Sequence, residues 1–183
     1  MKAKITIEID DEIIEMELPQ SWDDVTIDDY TKITKVTADG KQDNQILIDM
    51  IHSITDVDKE ILWQMPVTSF NQIAELFEFT LIPIENKQID SIEIENETYW
   101  LKKDFKELTV GESASIDLLL KDNEGKLDGA MAKLLCVFLR KKKENGKLES
   151  FKSSFMDREE LFKTVKISDV NNLFIFFSTG RTS

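Results

Sequence analysis

The chain has 183 residues, of which 41% are hydrophobic and 11 are Phe against only 3 Pro, a balance that excludes a disordered polymer and suits one domain with room for lobes. No run approaches the roughly 18 apolar residues of a membrane-spanning helix, and Met1-Lys2-Ala3-Lys4 leads into an alternating strand rather than the apolar core of a signal peptide. With 36 acidic and 23 basic residues the net charge is −13, so phosphates repel the chain unless its basic residues cluster, and direct nucleic-acid binding is disfavoured.

Lys4-Ile5-Thr6-Ile7-Glu8-Ile9 alternates with a period of two, and Asp10-Asp11-Glu12 supplies a turn. Ile14, Met16 and Leu18 resume the alternation until Pro19, which lacks the N–H a ladder needs. This predicts a hairpin with one apolar face. An isolated hairpin is marginal in water, so it is expected to pack on helices or to join a second hairpin in one small antiparallel sheet.

Thr26 with Asp29 marks a helix start, and Asp28 and Asp29 suit its partly positive end. Tyr30, Ile33 and Val36 or Thr37 form its stripe before Asp39-Gly40 ends it. From Asp43 to Ile54, the residues Ile46, Leu47, Met50, Ile51 and Ile54 share one helical face, with His52 beside it. Asp56 is expected to cap a short helix reaching Trp63, with Pro66 closing it. Thr68 is expected to cap another, carrying Phe70, Ile73, Ala74, Phe77 and Leu81, with Pro83 beyond its end. Residues 26–82 thus read as a helical lobe between two hairpins.

The most legible stretch is Ser91 to Lys143. Ile92 and Ile94, then Thr98 and Trp100, alternate around Glu95-Asn96-Glu97, a second hairpin without the glycine of the strongest turns. Thr109 and Glu112 have the spacing of a capping box, in which each side chain satisfies a backbone N–H at the helix start. The helix they open buries Ile116, Leu119 and Leu120 and breaks at Asn123-Glu124-Gly125. From Leu127 a second set follows, Met131, Leu134, Leu135 and Phe138, with Ala130 and Cys136 near that face. It runs into Arg140-Lys141-Lys142-Lys143, read as a solvated helix end whose cations suit the partial negative charge there. Contact with an acidic partner or nucleic acid is the alternative for this cluster. A short link favours an antiparallel helix pair.

After the Glu144-to-Lys147 turn, Asp157 and Glu160 fit the capping spacing, and Met156 can staple Leu161, so a short helix should end near Lys166. Ser168 opens the last helix, with Val170, Leu173, Phe174 and Phe177 on its buried face and Gly180 at its end. So aromatic a C-terminal segment is either docked in the core or offered to a partner. The fold class is α+β: a single domain over 1–183 with two β-hairpins and six to seven short helices, comprising a lobe at 26–82, a hairpin and helix pair at 91–143, and C-terminal helices at 157–180.

The residues nominate no catalyst, cofactor or metal ligand set. Cys136 cannot form an intramolecular disulfide, which suits a reducing compartment, and it sits in an apolar stripe where a core thiol is the simpler reading than a nucleophile paired with His52. No CxxC or HxxxH spacing supports zinc, and the six glycines form no phosphate-cradling loop. Asp10-Asp11-Glu12 and Asp23-Asp24 with Asp28-Asp29 lack the register and glycine of an EF-hand, so turn and helix-start electrostatics account for them. Trp22, Trp63 and Trp100 each flank an element boundary. With Phe174 and Phe177 they are the interface candidates, core packing being the alternative.

Three features together resemble small proteins from the virion gene blocks of tailed bacteriophages, particularly crAss-like phages of gut Bacteroides. They are the opening hairpin ending in Leu18-Pro19, the Ser21-to-Tyr30 entry SWDDVTIDDY, and the Tyr99-x-Leu101 strand leading to Leu108-Thr109-Val110-Gly111-Glu112. The resemblance reaches to about Leu139 and contains no catalytic motif; the Lys, Ile and Asn content also fits an AT-rich genome. It implies a non-enzymatic virion protein made in the host cytoplasm, a neck or tail piece or packaged cargo, whose partners are other virion proteins or further copies of itself. A tail assembly chaperone absent from the finished particle, and an acidic regulatory protein mimicking nucleic acid, are the alternatives.

Overall fold

The computed structural model describes residues 1–9, 12–37, 43–102, 108–124, 126–127 and 129–179, with side chains on the last helix as far as 175. Among these the chain is α+β, with eight α-helices and two small antiparallel sheets. It divides into two compact units, Met1–Ile84 and Glu85–Ser183.

In the first unit, β1 (Ala3–Ile9) pairs with β2 (Glu12–Leu18) so that Ile5 faces Met16 and Ile7 faces Ile14. One face buries Ile7, Met16 and Leu18, while Lys4, Thr6, Glu8, Glu15 and Glu17 stand in water on the other. The turn residues Asp10 and Asp11 lie outside the described residues, as does the Asp39-Gly40 stop. After a 3₁₀ turn at Trp22–Asp24 come α1 (Ile27–Thr37), α2 (Asp43–Thr55), α3 (Lys59–Trp63) and α4 (Val67–Leu76). Helix α2 packs on β2 and α1, and Leu18, Val25, Ile27, Ile48, Ile51, Leu62 and Ile73 close the core.

Three buried carboxylates brace this unit. Asp24 takes the Met1 ammonium and the Gln20 N–H. Asp29 accepts from the Thr26 N–H (3.3 Å) while its own N–H donates to the Thr26 hydroxyl (3.1 Å), and it also binds Lys2 Nζ at 3.1 Å. Asp49 holds the Lys59 ammonium, tying α2 to α3.

The second unit opens with β3 (Ser91–Ile94) and β4 (Glu97–Leu101), joined by Glu95 and Asn96 at φ 51° and 64°, the left-handed pair of a type I′ turn. The hairpins do not merge into one sheet: β1 and β2 form a sheet by themselves, and the far side of β4 is taken by β5 (Leu139–Arg140), with Trp100 opposite Arg140. Helix α5 (Val110–Asp122) begins with the expected capping box: the Glu112 N–H donates to the Thr109 hydroxyl (3.3 Å) and the Thr109 N–H to Glu112 Oε2 (2.8 Å). Helix α6 (Met131–Phe138) buries every side chain but Lys133 and packs on the 3₁₀ segment Ser153–Arg158 and on α7 (Glu159–Lys163). Helix α8 (Ile167–Thr179) ends the unit, and Gly125 and Gly180 lie outside the described residues.

Several expected starts move. Asp58, not Asp56, caps α3, because Asp56 takes a left-handed φ of 58° after α2. Pro66, not Thr68, precedes α4, which gives way to a 3₁₀ turn at Phe77–Leu81 and leaves Leu81 in water. Helix α6 starts at Met131, since residues before it are held by turns, including Ala130 N–H to the Leu127 carbonyl. The capping spacing of Asp157 and Glu160 is unused: those residues lie in a 3₁₀ segment and in α7, whose start has no side-chain cap. The last helix begins at Ile167 rather than Ser168.

The largest correction concerns Arg140. It is not part of a solvated helix end: α6 stops at Phe138, and Arg140 is 1% exposed. Its Nη1 donates to the carbonyls of Cys136 (2.8 Å) and Leu139 (3.1 Å), so the cation does serve the helix C-terminus, from inside. Nη2 reaches Glu112 Oε1 at 3.2 Å, and the guanidinium lies 5.1 Å from the ring centres of Phe151 and Phe155. Burial pulls the Arg140 pKa below its ordinary value, and Glu112 opposes that pull. Burial likewise pushes Glu112 up. The Lys102 ammonium at 2.7 Å and the Thr109 N–H and hydroxyl outweigh it and hold the carboxyl below the usual carboxylate range.

Breaking a buried pair strands its remaining charge, so Glu112→Ala should cost about 3–5 kcal/mol in urea unfolding, against about 1 kcal/mol for Thr109→Ala. The folded-state pKa of Glu112 is depressed, so its contribution is present above the unfolded carboxylate value and is lost as pH falls through the folded one. The stability gap between wild type and Glu112→Gln should therefore close on acidification; a gap independent of pH would show that the Glu112 charge is not what stabilises.

Candidate interaction surfaces

The side chains with chemical reactivity are engaged inside the chain. Cys136 is buried in α6, its thiol 3.4 Å from the Ala132 carbonyl, and burial, with the Glu159 carboxylate adding to it, pushes its pKa up to about 12. His52 Nδ1 donates to the Val57 carbonyl at 2.8 Å. The acidic clusters brace the fold: Asp28 pairs with Lys32 at 3.0 Å, while Asp24 and Asp29 hold Met1 and Lys2. Among the described residues no three metal-ligating side chains converge.

The interface candidates separate. Trp22 is half-buried, edge-on to Phe79 at 5.1 Å and tilted on Tyr30 at 5.9 Å, with its Nε1–H donating to the Ile82 carbonyl at 2.7 Å. It is a bracket between the first 3₁₀ turn and the end of the lobe. Trp100 is half-buried on β4, with Lys142 Nζ 3.1 Å from its ring centre. Phe174 is 3% exposed and belongs to the core of α8, while the Phe177 side chain lies outside the described residues. Trp63 alone of the three tryptophans stands out, 56% exposed at the end of α3.

Trp63 has company. Val67 opens α4 and Leu81 and Ile82 close the lobe, all three facing solvent, Leu81 at 85%. Large apolar side chains left in water are the part of the first unit that its own folding does not use. In the second unit Val110 and Leu118 project from the solvent side of α5.

Two concave features lie on the sheets. One, of about 380 Å³, spans the first hairpin between Lys4, Thr6, Glu15 and Glu17. The other, of about 420 Å³, runs along β3 and is walled opposite by Thr164, Val165, Lys166 and Asp169, between α7 and α8. Strand β3 bonds only to β4, and its outer edge has no strand partner among the described residues. The residue pattern of this hairpin gives no sign of which edge stays open, because that depends on β5 joining β4 from 38 residues on, between Leu101 and Leu139.

No family model, curated protein or solved structure matches the chain.

With its pKa raised and no access for a reagent, Cys136 should stay unlabelled by a chromogenic disulfide at mildly alkaline pH in the native protein and react fully in guanidinium chloride. Rapid native labelling would mean that α6 opens locally.

Proposed function

We propose that the chain is a non-enzymatic packing protein of a tailed-phage particle, a neck or tail piece or a protein carried inside it. The observation that carries the reading is that Trp63, Val67, Leu81 and Ile82 of the first unit face water while its core is well filled. Such side chains gain free energy when a neighbouring chain covers them, on the order of 25 cal/mol per Å² of apolar area removed from water. Unpaired strand edges add backbone groups that a neighbour can complete. The resemblance of the Leu18-to-Tyr30 and Tyr99-to-Glu112 segments to phage virion proteins supplies the setting.

The test is quantitative mass spectrometry of purified particles against infected-cell lysate, with wild type and the double variant Trp63→Ser, Leu81→Ser. The reading expects near-integer copies of wild type per particle. It also expects a variant that melts as wild type does, surface substitutions costing within about 0.5 kcal/mol, yet is missing from particles. Abundance in lysate with absence from particles overturns it in favour of a tail assembly chaperone or an acidic regulatory protein, which a pull-down separates.

A further inference from the structure

We infer that the outer edge of β3 is a docking groove for an extended, lysine- or arginine-bearing strand of another protein. This rests on the packing reading above and names where one partner would bind and what its chemistry would be.

The bonding pattern identifies which groups are offered. Asp90 and Leu101 form a bonded pair, the Leu101 N–H donating to the Asp90 carbonyl at 2.9 Å. In an antiparallel ladder bonded and non-bonded pairs alternate, so Ile92 with Tyr99 and Ile94 with Glu97 turn their backbone groups toward β4. Ser91 and Glu93, opposite Trp100 and Thr98, therefore turn their N–H and C=O groups outward. Those groups open on the groove of about 420 Å³, whose far wall is the α7–α8 connection. The inferred strand would lie along this edge, in the trough.

The charges choose the occupant. Glu93 and Asp169 line the groove against Lys166 alone, and Glu95 flanks the strand. A second copy docking edge to edge around a two-fold axis would set this acidic strand against itself, and like charges opposite one another destabilise a pair. A strand with basic residues at alternate positions meets the same carboxylates with attraction. The edge is short and bears charge, which guards it from indiscriminate pairing.

The experiment titrates the full chain with three fluorescent peptides: alternating valine and lysine, the same sequence with alternate backbone amides methylated, and alternating valine and glutamate. Each is measured against wild type, Glu93→Pro and Glu93→Lys. Proline at this position removes an outward N–H and leaves the β3–β4 bonds intact. The expected result is binding of the valine–lysine peptide to wild type, weakened at least about tenfold by Glu93→Pro or by amide methylation, with Glu93→Lys turning the preference toward the glutamate peptide. Equal binding of the methylated and unmethylated lysine peptides, which requires no variant to fold, overturns the inference by reducing it to net charge. So does a wild-type dimer that Glu93→Pro abolishes, which would assign the edge to a second copy. Failure of the peptide with a protein that is nonetheless present at integer copies in particles removes the β3 assignment alone. Success with a protein absent from particles removes only the virion setting.

Discussion

The second unit depends on one buried ion pair. Glu112 and Arg140 are 2% and 1% exposed, and neither charge would tolerate that position without the other. Glu112 serves four donors at once: the N–H and hydroxyl of Thr109, Lys102 and Arg140. Arg140 turns Nη1 to the carbonyls at the end of α6, leaves its buried Nε–H without a hydrogen-bond partner, and lays its face against Phe151 and Phe155. The pair thus joins the start of α5, the end of α6 and strand β5, the strand that occupies the inner edge of the β3–β4 hairpin. Because β5 is fixed there, β3 is the edge left facing outward.

A second layer extends the same logic. The chain after β5 folds back, with the Lys141 N–H donating to Glu149 Oε1 at 3.2 Å and Arg158 meeting the same oxygen at 2.7 Å. Burial raises the Glu149 pKa, but Arg158 and the Lys141 N–H hold it below the usual range. Arg158 also lies 3.9 Å from the centre of the Phe155 ring. The first unit uses the device with carboxylates at Asp24, Asp29 and Asp49. Part of an acidic surplus that composition alone would assign to the surface is therefore structural.

Local chemistry was legible in the sequence where its partners are close in the chain. The Thr109–Glu112 box, the Thr26–Asp29 start and the alternation of the first hairpin involve residues a few positions apart and are found as expected, while the second hairpin forms with Tyr99, opposite Ile92, as its buried β4 residue in place of Thr98 and Trp100. Arg140 was not legible, because its reasons lie 28 residues back at Glu112 and 11 and 15 residues ahead at Phe151 and Phe155, while its neighbours are three exposed or half-exposed lysines. The exposure of Leu81 was hidden for a related reason: the α-helical spacing that put it beside Phe77 fails once the chain tightens to a 3₁₀ turn at Phe77. Of the interface candidates, Trp63 is the tryptophan that the fold leaves exposed. Trp22 needed its partners Phe79 and Ile82 to be seen as a bracket.

The most direct measurement of the central claim, that a braced sheet presents an open edge at β3, is amide hydrogen exchange of the isolated protein resolved residue by residue. The account predicts that the Ser91 and Glu93 amides exchange almost as fast as in an unfolded chain, while Ile92, Ile94 and the amides of α6 exchange only with global unfolding. Protection of Ser91 and Glu93 equal to that of Ile92 would show the edge already occupied, and would contradict the account.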